Sequence, residues 1–214
     1  MNGLFASVPC ALYIAFKMPA YEASPESTCL KILRSHIKEH DVWGHFRFAP
    51  KVCCFDQLTN LEIHAQCAQI VRSVSKHLPA SEAATIRARY GLTEFEDVDG
   101  RRRYAFSEDR ADAIKSLSRY FRTVYDALSE AECDLLVARV FADERSTTPI
   151  TLRSIAAACG RSHVHYHNYY HAIDDRIYQF EVRALDILTD VFANRGASNG
   201  VPVVDAADEN YQQG

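Results

Sequence analysis

Residues 151–173, TLRSIAAACGRSHVHYHNYYHAI, constrain the fold of this chain more than any other stretch. Thr151 is a good N-cap for a short helix whose apolar face is Leu152, Ile155, Ala156 and Cys159. Gly160 follows Ala156 by four residues and supplies the left-handed backbone that ends that helix and turns the chain. Ser162 is a second N-cap, so another helix is expected to start at His163. Short helix, glycine turn and second helix read as a helix-turn-helix, with the small Ala156 letting the two helices approach. Tyr166 departs from the pattern, because such motifs usually carry a small β-branched core residue there. Its ring must either repack the helix pair or turn its hydroxyl outward.

Charge points the same way. The chain has 24 Lys and Arg against 28 Asp and Glu, a net charge of −4, yet no acid lies between Glu144 and Asp174. That window holds Arg145, Arg153, Arg161 and the histidines 163, 165, 167 and 171. A surface that approaches phosphates keeps carboxylates away from them, since the sequence-independent part of DNA binding is electrostatic. The exposed side of the second helix would offer Ser162, His163, His167, Asn168 and His171. Asn makes a bidentate contact to adenine, whereas His and Ser contact bases or phosphates less specifically. These residues, with Arg153 and Arg161, are the expected DNA contacts. The plain alternative is a helical hairpin inside an all-α protein, with Gly160 an ordinary C-cap.

The rest of the chain is periodic by threes and fours, which predicts an all-α fold with at most one short hairpin. A short helix is expected over 8–16 and another over 27–38, then an aromatic-rich loop over 41–55. Thr59 and Glu62 form a capping box for a helix with Leu61, Ala68, Val71, Val74 and Leu78 on its inner face. Pro79 breaks it and starts the next helix at its first turn, and Gly91 ends that one. Asp99-Gly100, between Phe95/Val98 and Tyr104/Phe106, signals a tight hairpin. Ser107 opens a helix with Ile114, Leu117, Phe121, Val124 and Leu128 in its stripe, and Ser129 with Glu132 forms a second capping box. The second motif helix continues through Ile173, Ile177, Phe180, Ala184, Leu188 and Val191 to about Asn194. The domain division read from this is a poorly defined segment 1–57, a helical body 58–128, a helix-turn-helix domain 129–195 and a disordered acidic tail 196–214. A faint repeat relates Leu78, Glu82, Ala88 and Arg89 to Leu128, Glu132, Ala138 and Arg139, each fifty residues later.

With these residues in view, LSEAECDLLVARVF, the following TLRSIAAACGRS and the trailing EVRALDIL resemble the sigma-factor region that reads the −35 promoter element. The wider set, with ALYIAF near the start and HLPASEAATIRARYG in the middle, resembles phage late-gene antitermination proteins of the Q type. The resemblance implies a protein that binds double-stranded DNA near a late promoter and engages bacterial RNA polymerase, in the cytoplasm of the bacterial host. It implies that 161–171 read the DNA and that the helices of 58–128 form the polymerase-facing body. Several such proteins carry a cysteine-rich zinc element between helices, but the corresponding insertion here, 94–106, has no cysteine.

Other chemistry has less support in the sequence. His163, His167 and His171 form one helical stripe, and two such histidines can chelate Zn²⁺, but the window offers no carboxylate base for a hydrolytic site. The stripe is therefore expected to face solvent or DNA. Cys53-Cys54 with His64 and Cys67 is a second metal candidate, weakened because adjacent cysteines fit a tetrahedral site poorly. No metal or cofactor is assigned. No nucleophile elbow, phosphate loop or paired catalytic carboxylate is present, so no enzyme is expected. Arg101, Arg102 and Arg103 read either as a solvated loop tip or as a clamp for phosphate or an acidic polymerase surface. The seven cysteines form no regular framework, and the mildly apolar 4–16 is too short to span a membrane, so a soluble protein with reduced thiols is expected. The alternatives are a sigma-like activator, a terminase small subunit or a His-rich metal protein. Spacing does not set the oligomeric state.

Overall fold

One helix of 31 residues, His163–Ala193, runs through the whole architecture, and its 3.6-residue period explains why the other helices pack where they do. A computed structural model of the protein describes residues 5–18, 58–98, 101–142 and 150–193. In chain order the elements are α1 (Val8–Lys17), α2 (Asn60–His77), α3 (Ala80–Tyr90), β1 (Thr93–Val98), β2 (Arg101–Phe106), α4 (Glu108–Val124), α5 (Glu130–Phe141), α6 (Leu152–Cys159) and α7 (His163–Ala193). The fold is all-α with a single two-stranded antiparallel hairpin among the described residues. The expected segments 27–38, 41–55 and 196–214, the Asp99-Gly100 turn, Arg145, Cys53 and Cys54 lie outside them.

Helix α7 would be about 46 Å long at 1.5 Å per residue, enough to serve two apolar clusters. Its inner stripe is Tyr166, Ile173, Ile177, Phe180, Ala184, Leu188 and Phe192. The last three pack with α1 and α2, through Leu12, Ile14, Ile63, Ile70 and Val74 among others. The first four pack with α4, α5 and α6, through Leu117, Phe121, Leu136, Val137 and Ile155. This second cluster also takes Ala84 and Ala88 of α3, so residues on both sides of position 128 share one core.

Three expectations need correction. The inner face of α2 is Ile63, Cys67, Ile70, Val74 and Leu78, while Leu61 is 79% exposed and Ala68 is exposed. Leu61 lies two residues, or about 200°, around the helix from Ile63, so the two cannot share a face. Val124 is exposed, because α4 ends there and the chain leaves the bundle before returning at Leu128. Pro79 is the N-cap of α3 and not its first helical residue. Val191 packs half-buried on the first cluster as expected, and buried Phe192 beside it extends the stripe of α7.

The faint repeat is geometric. Pro79 and Ser129 are both N-caps, Glu82 and Glu132 are both third in their helices, and both carboxylates are buried. Each helix grips α7 at both ends. Glu82 pairs with Arg183 at 2.9 Å and Arg89 with Glu181 at 3.1 Å. Glu132 accepts a hydrogen bond from the Tyr166 hydroxyl, and the Arg139 guanidinium lies 4.8 Å from the Tyr170 ring centre. Arg110 of α4, itself buried, donates to the Ala88 carbonyl at 2.7 Å and the Phe141 carbonyl at 2.9 Å. One cation therefore satisfies C-terminal carbonyls of both repeat helices, which is where a positive charge is most favourable.

Candidate nucleic-acid interface

The turn between α6 and α7 forms as its residue types require. Thr151 accepts from the Ser154 amide at 3.0 Å, and its own amide donates to the Ser154 hydroxyl at 2.9 Å, a reciprocal cap closed by serine. Gly160 takes φ 78° and ψ 12°, and its amide donates to the Ala156 carbonyl at 2.9 Å, which ends α6 after eight residues. Ser162 caps α7 by accepting from the His165 amide at 3.3 Å. Ile155 is buried, and half-buried Leu152, Ala156 and Cys159 pack on the same cluster.

Tyr166 settles the departure noted in the sequence. Its ring is fully buried and repacks the helix pair, and its hydroxyl points inward to Glu132. Glu132 also accepts from the Ser129 amide at 2.7 Å through Oε2, and Arg161 Nε lies 3.4 Å from Oε1, the oxygen that accepts from Tyr166. Burial alone would raise this carboxyl. The bonds from Tyr166 and Ser129, with the Arg161 charge, outweigh burial and hold it down at about 2. Burial and the adjacent carboxylate push the Tyr166 hydroxyl up, so it remains a donor. One buried carboxylate thus joins the N-terminus of α5, the turn and the second motif helix. In the sequence Glu132 reads as half of a capping box. The one signal for more was its match to Glu82, because the partner Tyr166 lies 34 residues away.

The expected contact residues fall as follows. Ser162, His163, His167, Asn168 and His171 are all exposed on the first turns of α7. Val164, on the same turns, is 60% exposed. Arg153 is exposed on α6. Arg161 is half exposed, with one edge held by Glu132 and its Nη1 3.3 Å from His165 Nε2. Its charge is partly spent on that carboxylate, which lowers what it offers to phosphate. His165 is half-buried, edge-on to Tyr166 and Tyr169, and is not part of the outer row. His167 and His171 meet at 3.2 Å between their Nε2 atoms. Arg101, Arg102 and Arg103 lie on β2, in register opposite Val98, Asp97 and Glu96, on a different element from the motif.

Of the second metal candidate, His64 is half-buried and Cys67 belongs to the first core. Among the described residues no group of three or more His, Cys, Asp and Glu is placed to hold a metal ion, and no helix is long and apolar enough to cross a membrane. Compared with known proteins, the chain matches no protein-family model and no curated protein.

Proposed function

We propose that the protein is a sequence-specific DNA-binding transcription regulator, acting as a phage-type antiterminator on bacterial RNA polymerase in the host cytoplasm. One observation carries the DNA-binding part. The first turns of α7 hold a short helix against their inner side and present Ser162, His163, His167, Asn168 and His171 outward, with no carboxylate in their own stretch of chain. A major groove admits one such helix, whose N-terminal residues then reach base edges. Asn168 is the base reader and Arg161 and Arg153 are phosphate contacts, Arg161 at the positive end of α7. The polymerase role rests on the resemblance to Q-type proteins.

The test has two arms. Selection from a randomised duplex pool should return a defined sequence, bound more tightly than a scrambled duplex. The purified protein should also retain bacterial RNA polymerase and let it pass a terminator downstream of that sequence. Selection without enrichment would remove the DNA-reading role. Enrichment without polymerase retention would leave a DNA-binding protein of another kind, such as a terminase small subunit.

A further inference from the structure

His167 and His171 stand one turn apart on the exposed face of α7, with ring centres 4.4 Å apart and Nε2 atoms converging to 3.2 Å. His171 rests edge-on against Tyr170, whose ring is half-buried on the second core beneath Arg139. One member of the pair is therefore backed by a fixed surface. A hydrogen bond between two water-exposed side chains contributes little, so stability does not account for this convergence. The distance is that of two neighbouring ligands on one ion. With metal–nitrogen bonds of about 2.0–2.1 Å, nitrogens 3.2 Å apart subtend about 100° at the ion, between octahedral and tetrahedral angles.

We infer that His167 and His171 form a binding site for a divalent transition-metal ion of the zinc, nickel or copper kind, ligated through both Nε2 atoms and open to solvent on its outer side. Imidazole pairs select these ions, whereas magnesium and calcium demand oxygen ligands; Asp174 and Asp175 follow His171 by three and four residues but do not join the pair in one group of ligands. No third protein ligand completes the set among the described residues. The ion keeps water in its remaining positions and exchanges readily, unlike the closed four-ligand sites that hold a fold together. His163 lies one turn before His167 and stays outside the pair, because the single Nε2 of His167 is turned towards His171. The site does not depend on DNA binding.

The experiment titrates Zn²⁺ into the metal-free full-length chain, in competition with a chromophoric chelator, while imidazole signals are followed by heteronuclear NMR. One equivalent should shift the rings of His167 and His171 through Nε2 and leave His163 unmoved. His167→Gln and His171→Gln should each weaken that equivalent by at least about tenfold, the low end of what losing even a supporting partner costs a metal site. His163→Gln should leave it intact. Co²⁺ in place of Zn²⁺ should give no thiolate charge-transfer band. Absence of any ring shift with zinc in excess overturns the inference. So does an equivalent that survives both substitutions or shows the thiolate band, since the ion then sits on cysteines. Loss in His163→Gln would place the ion on the wrong pair. The ring shifts are read on the unaltered protein, so a variant that misfolds does not spoil the test.

Discussion

Replacing Glu132 by Gln keeps the side-chain shape and removes the charge that joins α5 to the motif. The carboxyl lies at about 2 in the folded protein against an ordinary 4.5. That difference corresponds to about 3 kcal/mol of stability at neutral pH. Because the folded group holds its proton less tightly, the unfolded chain carries more protons between about pH 4.5 and 2. The contribution is therefore complete above about 4.5 and is lost as pH falls towards 2. Urea unfolding of wild type and Glu132→Gln should show the variant less stable at pH 7, with the gap narrowing by about 2 kcal/mol at pH 3. Tyr166→Phe, which deletes only the donor, should cost about 1.5–3 kcal/mol at pH 7 and share most of that loss with Glu132→Gln in a double-mutant cycle. Stability curves that fall in parallel from pH 7 to 3 would refute the reasoning, because the carboxylate would then not be the group that titrates.

Three further outcomes follow from the turn and the outer row. Gly160→Ala should destabilise by about 1–2 kcal/mol, read as a lower Tm, because its φ of 78° strains any side chain although a Cβ would meet nothing within 4 Å; Gly160→Asn should cost less. Asn168→Ala should lose about 1–3 kcal/mol on the selected duplex and little on a scrambled one, in fluorescence anisotropy. Arg161→Ala should weaken both duplexes alike and reduce the salt slope by less than the roughly one unit of a full phosphate contact, because Glu132 holds part of its charge, from titrations at several salt concentrations.

Where local chemistry decides the structure, the sequence was legible. The caps at Thr59, Ser129 and Thr151 and the left-handed Gly160 depend on neighbours within four residues, and each formed at the expected place. Where packing decides, it was not. Residues 61–74 hold Leu61, Ile63, Ile70, Val71 and Val74, which allow two overlapping stripes. Only contact with α1 and α7 selects the one that buries Cys67 and leaves Leu61 in solvent. Tyr166 stands out of pattern in the sequence itself, but its partner is a carboxylate from another helix, which no helical period shows. The convergence of His167 and His171 was half legible. Spacing puts them on one stripe, and rotamers alone decide which neighbour His167 meets.

The central claim is that the exposed side of the first turns of α7 is the surface that reads DNA, and amide chemical-shift mapping with the selected duplex tests it most directly. The account predicts the largest shifts at Ser162, His163, His167, Asn168 and His171, with smaller ones at Arg153 and Arg161 and none in α1 or α2. Shifts centred on the β1–β2 hairpin or on the C-terminal half of α7, with the Ser162–His171 row unmoved, would contradict it.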